Sequence, residues 1–132
     1  MQQAAKGKAL AGYTECQTDL GEFVGRLRDL DGHVAAGRQS FSEYASELTD
    51  ARAAFERAPL RRIKDARCLA GVGLPAENAF NQHVRAANAW HRCLVTLGCR
   101  VASIRPALRR RWAKASCLAT GAQTNLELLR RP

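Results

Sequence analysis

Residues 104–118 read IRPALRRRWAKASCL, and the spacing of the apolar residues in this stretch gives the clearest indication of the fold. Its apolar side chains recur every three or four residues, at Ile104, Leu108, Trp112, Ala115 and Leu118. That spacing places them on one stripe of an α-helix, because a helix completes a turn in about 3.6 residues. The stretch therefore predicts an amphipathic helix that packs by its apolar stripe and leaves its charges on the other faces.

The same spacing predicts a long helix in the first part of the chain. Its apolar stripe consists of Leu20, Phe23, Leu27, Leu30 and Val34. Gly32 and Gly37 bracket its expected end, and Asp31-Gly32 has the character of a stop signal. Residues 1–12 are small and polar, so we expect them to form a flexible N-terminal tail ahead of this helix.

A second helix is expected to begin at Ser40 or Ser42, because serine is a favoured residue at helix N-termini. Glu43 stands three residues beyond Ser40, which is the spacing of a capping box. Pro59 ends the segment. The predicted inner face consists of Phe41, Tyr44, Leu48 and Phe55.

The middle of the chain predicts a short helix followed by a long one. Residues 60–70 form the short helix, and Ala70-Gly71-Val72-Gly73 is expected to break it. Pro75 suits the first turn of the long helix, which ends at Gly98, and Ser103 caps the last helix of the chain. The stripe expected on the long helix is Phe80, Val84, Ala87, His91 and Leu94, with Trp90 beside it.

These elements predict an all-α domain over residues 13–132. No hairpin dipeptide separates alternating apolar runs, so the indication of β-structure is weak. Short connections make neighbouring long helices antiparallel, which gives an antiparallel bundle of four main helices plus one short helix. No apolar run approaches the roughly 18 residues of a membrane span, so we expect no transmembrane segment in this chain.

The charge is divided unevenly along the sequence. Residues 1–58 hold seven Lys or Arg against nine Asp or Glu, a net charge of −2, whereas residues 59–132 hold fourteen against three, a net charge of +11. One interpretation is that acidic and basic helices pack together and offset each other. The other is a patch that binds an acidic protein or anionic polymer. The candidate residues are Arg105, Arg109, Arg110, Arg111 and Lys114, together with Arg61 and Arg62.

Residues 63–84 also allow a nucleic-acid-binding alternative. This segment has the order of elements found in a helix-turn-helix motif, which is a helix, a short turn at residues 70–73 and a second helix that begins at Pro75. The second helix would present side chains of the types that read bases in the major groove, which are Asn78, Asn81, Gln82 and Arg85. Against this interpretation, the turn has one residue too many and the second helix is long.

The five cysteines favour disulfide bonds over a metal site. Cys93 and Cys99 flank a predicted turn, where a disulfide would clip the helix end, and either one is also a possible partner of Cys68. The odd number leaves one thiol unpaired or bridged to another chain. No Cys-x-x-Cys pair is present, so we expect no metal and no cofactor. Disulfide bonds would favour an extracytoplasmic localisation, either in the cell envelope or as a secreted protein, whereas reduced cysteines would favour the cytoplasm.

From Phe41 onward the chain resembles uncharacterised helical domains of actinobacterial membrane proteins and lipoproteins, which lie outside the membrane. The shared pattern includes Phe41-Ser42-Glu43-Tyr44, Ala79-Phe80-Asn81-Gln82-His83, Asn88-Ala89-Trp90-His91-Arg92-Cys93 and Arg111-Trp112-Ala113-Lys114-Ala115-Ser116. The resemblance implies an extracytoplasmic helical bundle with Cys68, Cys93 and Cys99 as disulfide candidates. Those domains are acidic where this chain carries Arg, and they have no known activity to transfer.

No group of residues predicts catalysis. His83 and His91 lie on one predicted helix, but no Ser or Cys nucleophile pairs with either of them in a recognisable arrangement. The expected function is therefore a non-enzymatic binding or interaction module whose basic C-terminal half contacts an acidic partner. A less favoured alternative is a small-molecule carrier with a pocket around Trp90, His83 and Trp112.

Overall fold

The computed structural model describes the backbone of residues 2–131 and the side chains of residues 7–131. Within that part the chain is helical and contains no β-strand, which confirms the predicted all-α class. The long helices are α1 (Gln2–Ala36), α2 (Phe41–Arg57), α4 (Leu74–Val95) and α5 (Val101–Leu128). A 3-10 turn (Leu60–Arg62), a short helix α3 (Ala66–Cys68) and a π-helical turn (Leu69–Gly73) connect α2 to α4. Every described helix is too short or too polar to span a bilayer.

The four long helices pack in a ring in which each one runs antiparallel to its neighbours. Helix α1 packs against α2 and α5, and α4 packs against the same two helices. Glu22 near the middle of α1 pairs with Arg57 at the end of α2, whereas His33 near the end of α1 pairs with Glu47 of α2. Helices α1 and α2 therefore run in opposite directions. We call the end that holds the C-termini of α1 and α4 the upper end, and the opposite end the lower end.

The core combines large side chains, most of them from α1 and α2, with a set of small ones from α4 and α5. The fully buried large residues include Leu20, Phe23, Leu27, Leu30, Tyr44, Leu108 and Leu126. The buried alanines of the other two helices are Ala76, Ala79, Ala86, Ala115, Ala119 and Ala122. Alanine leaves the backbones of α4 and α5 free to approach, while the leucine and phenylalanine side chains fill the interior.

The predicted helix ends are confirmed at three places. Ser40 accepts a hydrogen bond from the backbone N–H of Glu43 at 3.1 Å, and the Glu43 side chain bonds back, which forms the capping box. Gly37 and Gly98 follow α1 and α4 with φ values of +70° and +84°, which favour glycine because it has no Cβ. Asp31-Gly32 does not stop α1, because Asp31 is buried inside the bundle.

Two segments differ from the sequence prediction. Helix α1 begins at Gln2, so residues 2–12 are helical where the sequence indicates a flexible tail. Residues 70–73 do not interrupt the helix, because the π-helical turn joins α3 to α4 with helical backbone angles throughout. A Cβ at Gly73 would lie 2.8 Å from Cδ2 of Leu60, so a larger residue there would require the Leu60 side chain to move. Gly73 therefore lies at a packing contact and not in a turn.

The buried face of α4 is also shifted from the predicted stripe. His91 and Leu94 are exposed, whereas the buried positions are Ala76, Ala79, Phe80, Gln82, His83, Ala86 and Cys93. The predicted Phe80 is buried, and Val84, Ala87 and Trp90 are half-buried against the core, so the prediction was wrong only for His91 and Leu94. The alanines face α5, whose own buried stripe is alanine-rich, and His83 faces Tyr44 of α2.

Candidate anion-binding surface

The basic residues predicted to meet a partner lie on the upper half of α5 and point away from the core. Arg105, Arg109, Arg110 and Lys114 are exposed, and Arg111 is half-buried. Their orientation follows from the helical period, because the buried positions Leu108 and Ala115 turn the intervening residues outward. We call Arg105, Arg109, Arg110, Arg111 and Lys114 the α5 cation surface.

No acidic side chain forms an ion pair with the α5 cation surface within residues 7–131, although Asp31 lines the same cavity as Arg105 and Arg109. The arginine ion pairs found there join Arg57 to Glu22 and Arg130 to Glu127, and both lie elsewhere. The sequence explains this, since residues 78–126 contain no Asp or Glu, so α5 and most of α4 offer no local acid. The acidic N-terminal half is therefore not in ion-pair contact with these five cations.

The α5 cation surface spans both flanks of its helix. Arg105 and Arg109 lie beside the C-terminal part of α1. Arg111 lies beside α4, where its guanidinium is 3.5 Å from Oε1 of Gln82. A flat or extended acidic partner could contact either flank, whereas one compact anion could not contact all five residues at once.

A groove opens between the upper ends of α1 and α5, next to the first of these flanks. It consists of two adjoining cavities of about 140 and 420 Å³, which share Val34, Gly37, Arg105 and Trp112. Trp90 lines the smaller cavity, so two of the three residues predicted for a small-molecule pocket do meet there. The third, His83, is fully buried and lies outside the groove.

A chain of buried hydrogen bonds lies beneath the groove. Nε1 of Trp112 donates to the Tyr44 hydroxyl at 3.1 Å, and that hydroxyl is 2.8 Å from Nδ1 of His83. Nε2 of His83 lies 2.9 Å from Oδ1 of Asp31. Burial raises the pKa of Tyr44 well above its ordinary value, so the hydroxyl stays neutral and keeps its proton for hydrogen bonding. The network fixes Trp112, which forms one wall of the groove.

Sequence reasoning missed Asp31 as a member of this network. Its aspartate-glycine pair indicated a helix end, and the carboxyl was not considered as a buried group. The helical period does contain a signal, since Asp31 follows the buried Leu27 by four residues and therefore lies above it on the same face.

Arg61 and Arg62 do not join the α5 cation surface. Both are exposed in the 3-10 turn that follows α2, at the lower end of the bundle. They border a separate cavity with Phe55 and Glu77. The structure thus divides the predicted anion-binding residues into two sites at opposite ends.

The helix-turn-helix geometry predicted for residues 63–84 is wrong, because the expected turn is helical and the segment enters α4 directly. The four candidate base-reading residues also fail to share one exposed face. Asn78, Asn81 and Arg85 are exposed, but Gln82 is buried.

Four of the cysteines form two disulfides. Cys93 pairs with Cys99, as the flanked turn allowed, and Cys68 pairs with Cys16, which sequence reasoning had not singled out. Cys117 is free and exposed. Cys16 and Cys68 are separated by 52 residues, so no local spacing signals their pairing. The two bonds indicate an oxidising, extracytoplasmic environment.

No group of three or more His, Cys, Asp or Glu side chains suitable for a metal ion occurs in the part of the chain that the structure describes.

No protein-family model matches the chain, and no curated protein or solved structure is significantly similar to it. The interpretation of the surface therefore rests on its own residues.

Proposed function

We propose that this protein is a non-enzymatic binding module whose α5 cation surface contacts an acidic partner, either a protein or an anionic polymer. The observation that supports the proposal best is the lack of any ion pair to these five cations within residues 7–131. Their guanidinium and ammonium groups keep their full charge for an external carboxylate or phosphate, with which arginine forms strong paired hydrogen bonds.

The two disulfides support a place for this module in the cell envelope or among secreted proteins. The resemblance of residues from Phe41 onward to extracytoplasmic actinobacterial domains points the same way. In this proposal the partner is an anionic component of that compartment, which the module meets through its basic side.

A structural role for the Asp31–His83 pair supports a non-enzymatic module. An aspartate hydrogen-bonded to a histidine is an arrangement that hydrolases use, but His83 has no exposed surface here. Its second ring nitrogen is occupied by Tyr44, which is itself held by Trp112. We therefore propose that the network stiffens the bundle and positions Trp112.

The test is the affinity of the protein for fluorescent poly-L-glutamate, measured by anisotropy over a series of NaCl concentrations. We expect binding that weakens steeply with salt, because association with a polyanion releases counterions. The triple variant Arg109→Ser/Arg110→Ser/Arg111→Ser should lose about tenfold or more in affinity and show a shallower salt dependence. Its free energy of unfolding should stay within about 0.5 kcal/mol of the parent, since these are surface positions.

The matched control removes three cations from the lower end. Arg61→Ser/Arg62→Ser/Lys64→Ser changes the net charge by the same amount, and all three side chains are exposed. We expect this variant to retain most of the binding. Equal losses in the two triple variants would show that net charge alone attracts the polymer, and the α5 cation surface would not be a site.

The nucleic-acid alternative is tested in the same assay with duplex DNA. The proposed surface predicts that any DNA binding is independent of base sequence, because arginines on a helix exterior contact phosphates. A clear preference for one duplex, lost on replacement of Asn78 or Asn81, would instead favour base readout from α4.

A further inference from the structure

The last turn of α4 and the loop that follows it present an apolar tip at the upper end of the bundle. Leu94, Val95 and Leu97 have exposed fractions of 52%, 67% and 103%. The exposed large apolar residues elsewhere, Leu10, Leu74 and Leu128, are separated from one another in the chain. No other short segment within residues 7–131 contains three exposed large apolar residues.

The loop is held in this exposed form by covalent and hydrogen bonds. The Cys93–Cys99 disulfide closes it, and Cys93 is buried, so the loop is anchored to the core. Thr96 donates its backbone N–H to Cys93 at 3.2 Å and its hydroxyl to the carbonyl of Arg92 at 2.6 Å. Gly98 supplies the left-handed backbone angle of the turn. With its ends tied, the loop cannot fold back to bury Leu97.

Cations border the apolar tip on both sides. Arg92 lies one residue before the disulfide and Arg100 one residue after it, and both are exposed. No acidic residue occurs anywhere in residues 78–126. An apolar tip bordered by arginines matches the interface of an anionic bilayer, where aliphatic groups enter the acyl boundary and guanidinium groups remain at the phosphates.

We propose that the disulfide-closed loop of residues 93–99 inserts into an anionic lipid surface, with Leu97 as the leading side chain. The proposal rests on the proposed function for the attraction of the basic module to an anionic partner, and it adds the surface of an anionic bilayer to the partners named there. A convex tip of three side chains offers much less than the about 1,000 Å² that a specific protein–protein interface buries. A bilayer accepts such a tip without a complementary pocket.

The experiment uses the oxidised full chain and sucrose-loaded vesicles, which are sedimented to measure the bound fraction. One vesicle contains equal parts of phosphatidylglycerol and phosphatidylcholine, and the other contains phosphatidylcholine alone. We expect binding to the anionic vesicle only. Leu97→Ser should weaken it about tenfold, since burial of a leucine side chain contributes roughly that much to a partition constant.

The matched control is Leu74→Ser, because Leu74 is 47% exposed and begins α4 at the lower end. It should bind vesicles as the parent does. Both variants alter exposed side chains, so thermal unfolding should verify that each one remains folded. Unchanged vesicle binding by Leu97→Ser, or an equal loss in Leu74→Ser, would overturn the role of the loop.

Poly-L-glutamate separates this inference from the proposed function. Leu97→Ser should bind poly-L-glutamate as the parent does, because the polymer offers charge and no apolar layer. A parent protein that binds poly-L-glutamate but not the anionic vesicles would overturn the lipid inference alone. A parent that binds neither would overturn both.

Discussion

Asp31 and His83 are 52 residues apart in the chain, and their side chains meet in the interior through an Oδ1–Nε2 distance of 2.9 Å. With Nε2 of His83 donating to Oδ1 of Asp31, Nδ1 of the same ring can accept the proton of the Tyr44 hydroxyl. The other oxygen of Asp31 is buried and has no hydrogen-bond partner within the described residues. One hydrogen bond therefore links α1 to α4 across the bundle.

Replacement of Asp31 by alanine should lower the free energy of unfolding by about 2 kcal/mol. The reason is that the buried N–H of His83 would lose its acceptor, and an unsatisfied buried donor is costly. Urea denaturation monitored by circular dichroism measures the change. Asp29→Ala is the matched control, because Asp29 is an exposed acid on the same helix and should alter stability by about 0.5 kcal/mol or less. Equal effects would mean that the Asp31–His83 bond contributes nothing specific.

Alkylation of the denatured protein without reductant should label one of its five cysteines. The label should be on Cys117, which is the free and exposed thiol, whereas reduction before alkylation should expose all five. Intact mass gives the number, and peptide mapping gives the position. Five labels without reductant would show that the protein is made in a reducing compartment, which would contradict the extracytoplasmic assignment.

The two disulfides should differ in their contribution to stability. Cys16→Ala/Cys68→Ala opens a closure with a sequence separation of 52 residues, whereas Cys93→Ala/Cys99→Ala opens one of 6. Loop-closure entropy predicts losses of about 4 and about 2 kcal/mol, respectively, because a longer loop gains more freedom in the unfolded state. Denaturant titration of the two double variants checks the order, and a larger loss for the short loop would contradict it.

Ser40→Ala should lower the free energy of unfolding by about 1 kcal/mol, since the backbone N–H of Glu43 would lose its cap. Ser42→Ala is the control, because Ser42 is exposed and lies within the first turn of α2.

The Ser40 hydrogen bonds lower the pKa of Glu43, so this carboxylate favours the folded state above its ordinary pKa and loses that effect as the pH falls through the lowered value. A nuclear magnetic resonance titration of Ser40→Ala should show the Glu43 pKa rising only in part, because the backbone N–H of residue 40 can still donate to the Glu43 carboxylate.

His33 should titrate with a pKa above its ordinary value. The hydrogen bond to Glu47, at 2.7 Å, and the charge of that carboxylate both stabilise the imidazolium form. A raised pKa means that protonated His33 favours the folded state below pH about 6.5, and this contribution disappears as the pH rises through the folded pKa. In a nuclear magnetic resonance titration, Glu47→Gln should lower the midpoint, whereas Asp50→Asn should leave it unchanged. No change in Glu47→Gln would contradict the pairing.

The helix that was predicted best is α1, which has a large apolar residue at every turn. Its predicted residues Leu20, Phe23, Leu27 and Leu30 are all buried. The face of α4 was predicted only in part, because most of its buried positions are alanines or polar residues such as His83. Such residues are buried only where a particular neighbour faces them, and the neighbour is not visible in the local pattern.

The role of each glycine, as a helix end or as a packing contact, was ambiguous in the sequence for a related reason. Gly37 and Gly98 end helices at positive φ, as expected of glycine after a helix. Gly71 and Gly73 lie within a helical segment instead, where Asn125 donates to the Gly71 carbonyl at 2.8 Å and Leu60 occupies the space beside Gly73. The same residue type thus marks a turn in one place and close packing in another.

Local sequence accounts for the helical class, the capping box and the outward direction of the arginines of α5, because each depends on residues within one or two turns of one another. Only the packing of the helices accounts for the pairing of Cys16 with Cys68, the burial of Asp31 against His83, and the separation of Arg61 and Arg62 from the α5 cation surface. These depend on how α1, α4 and α5 pack side by side, and that arrangement results from contacts between residues far apart in the chain.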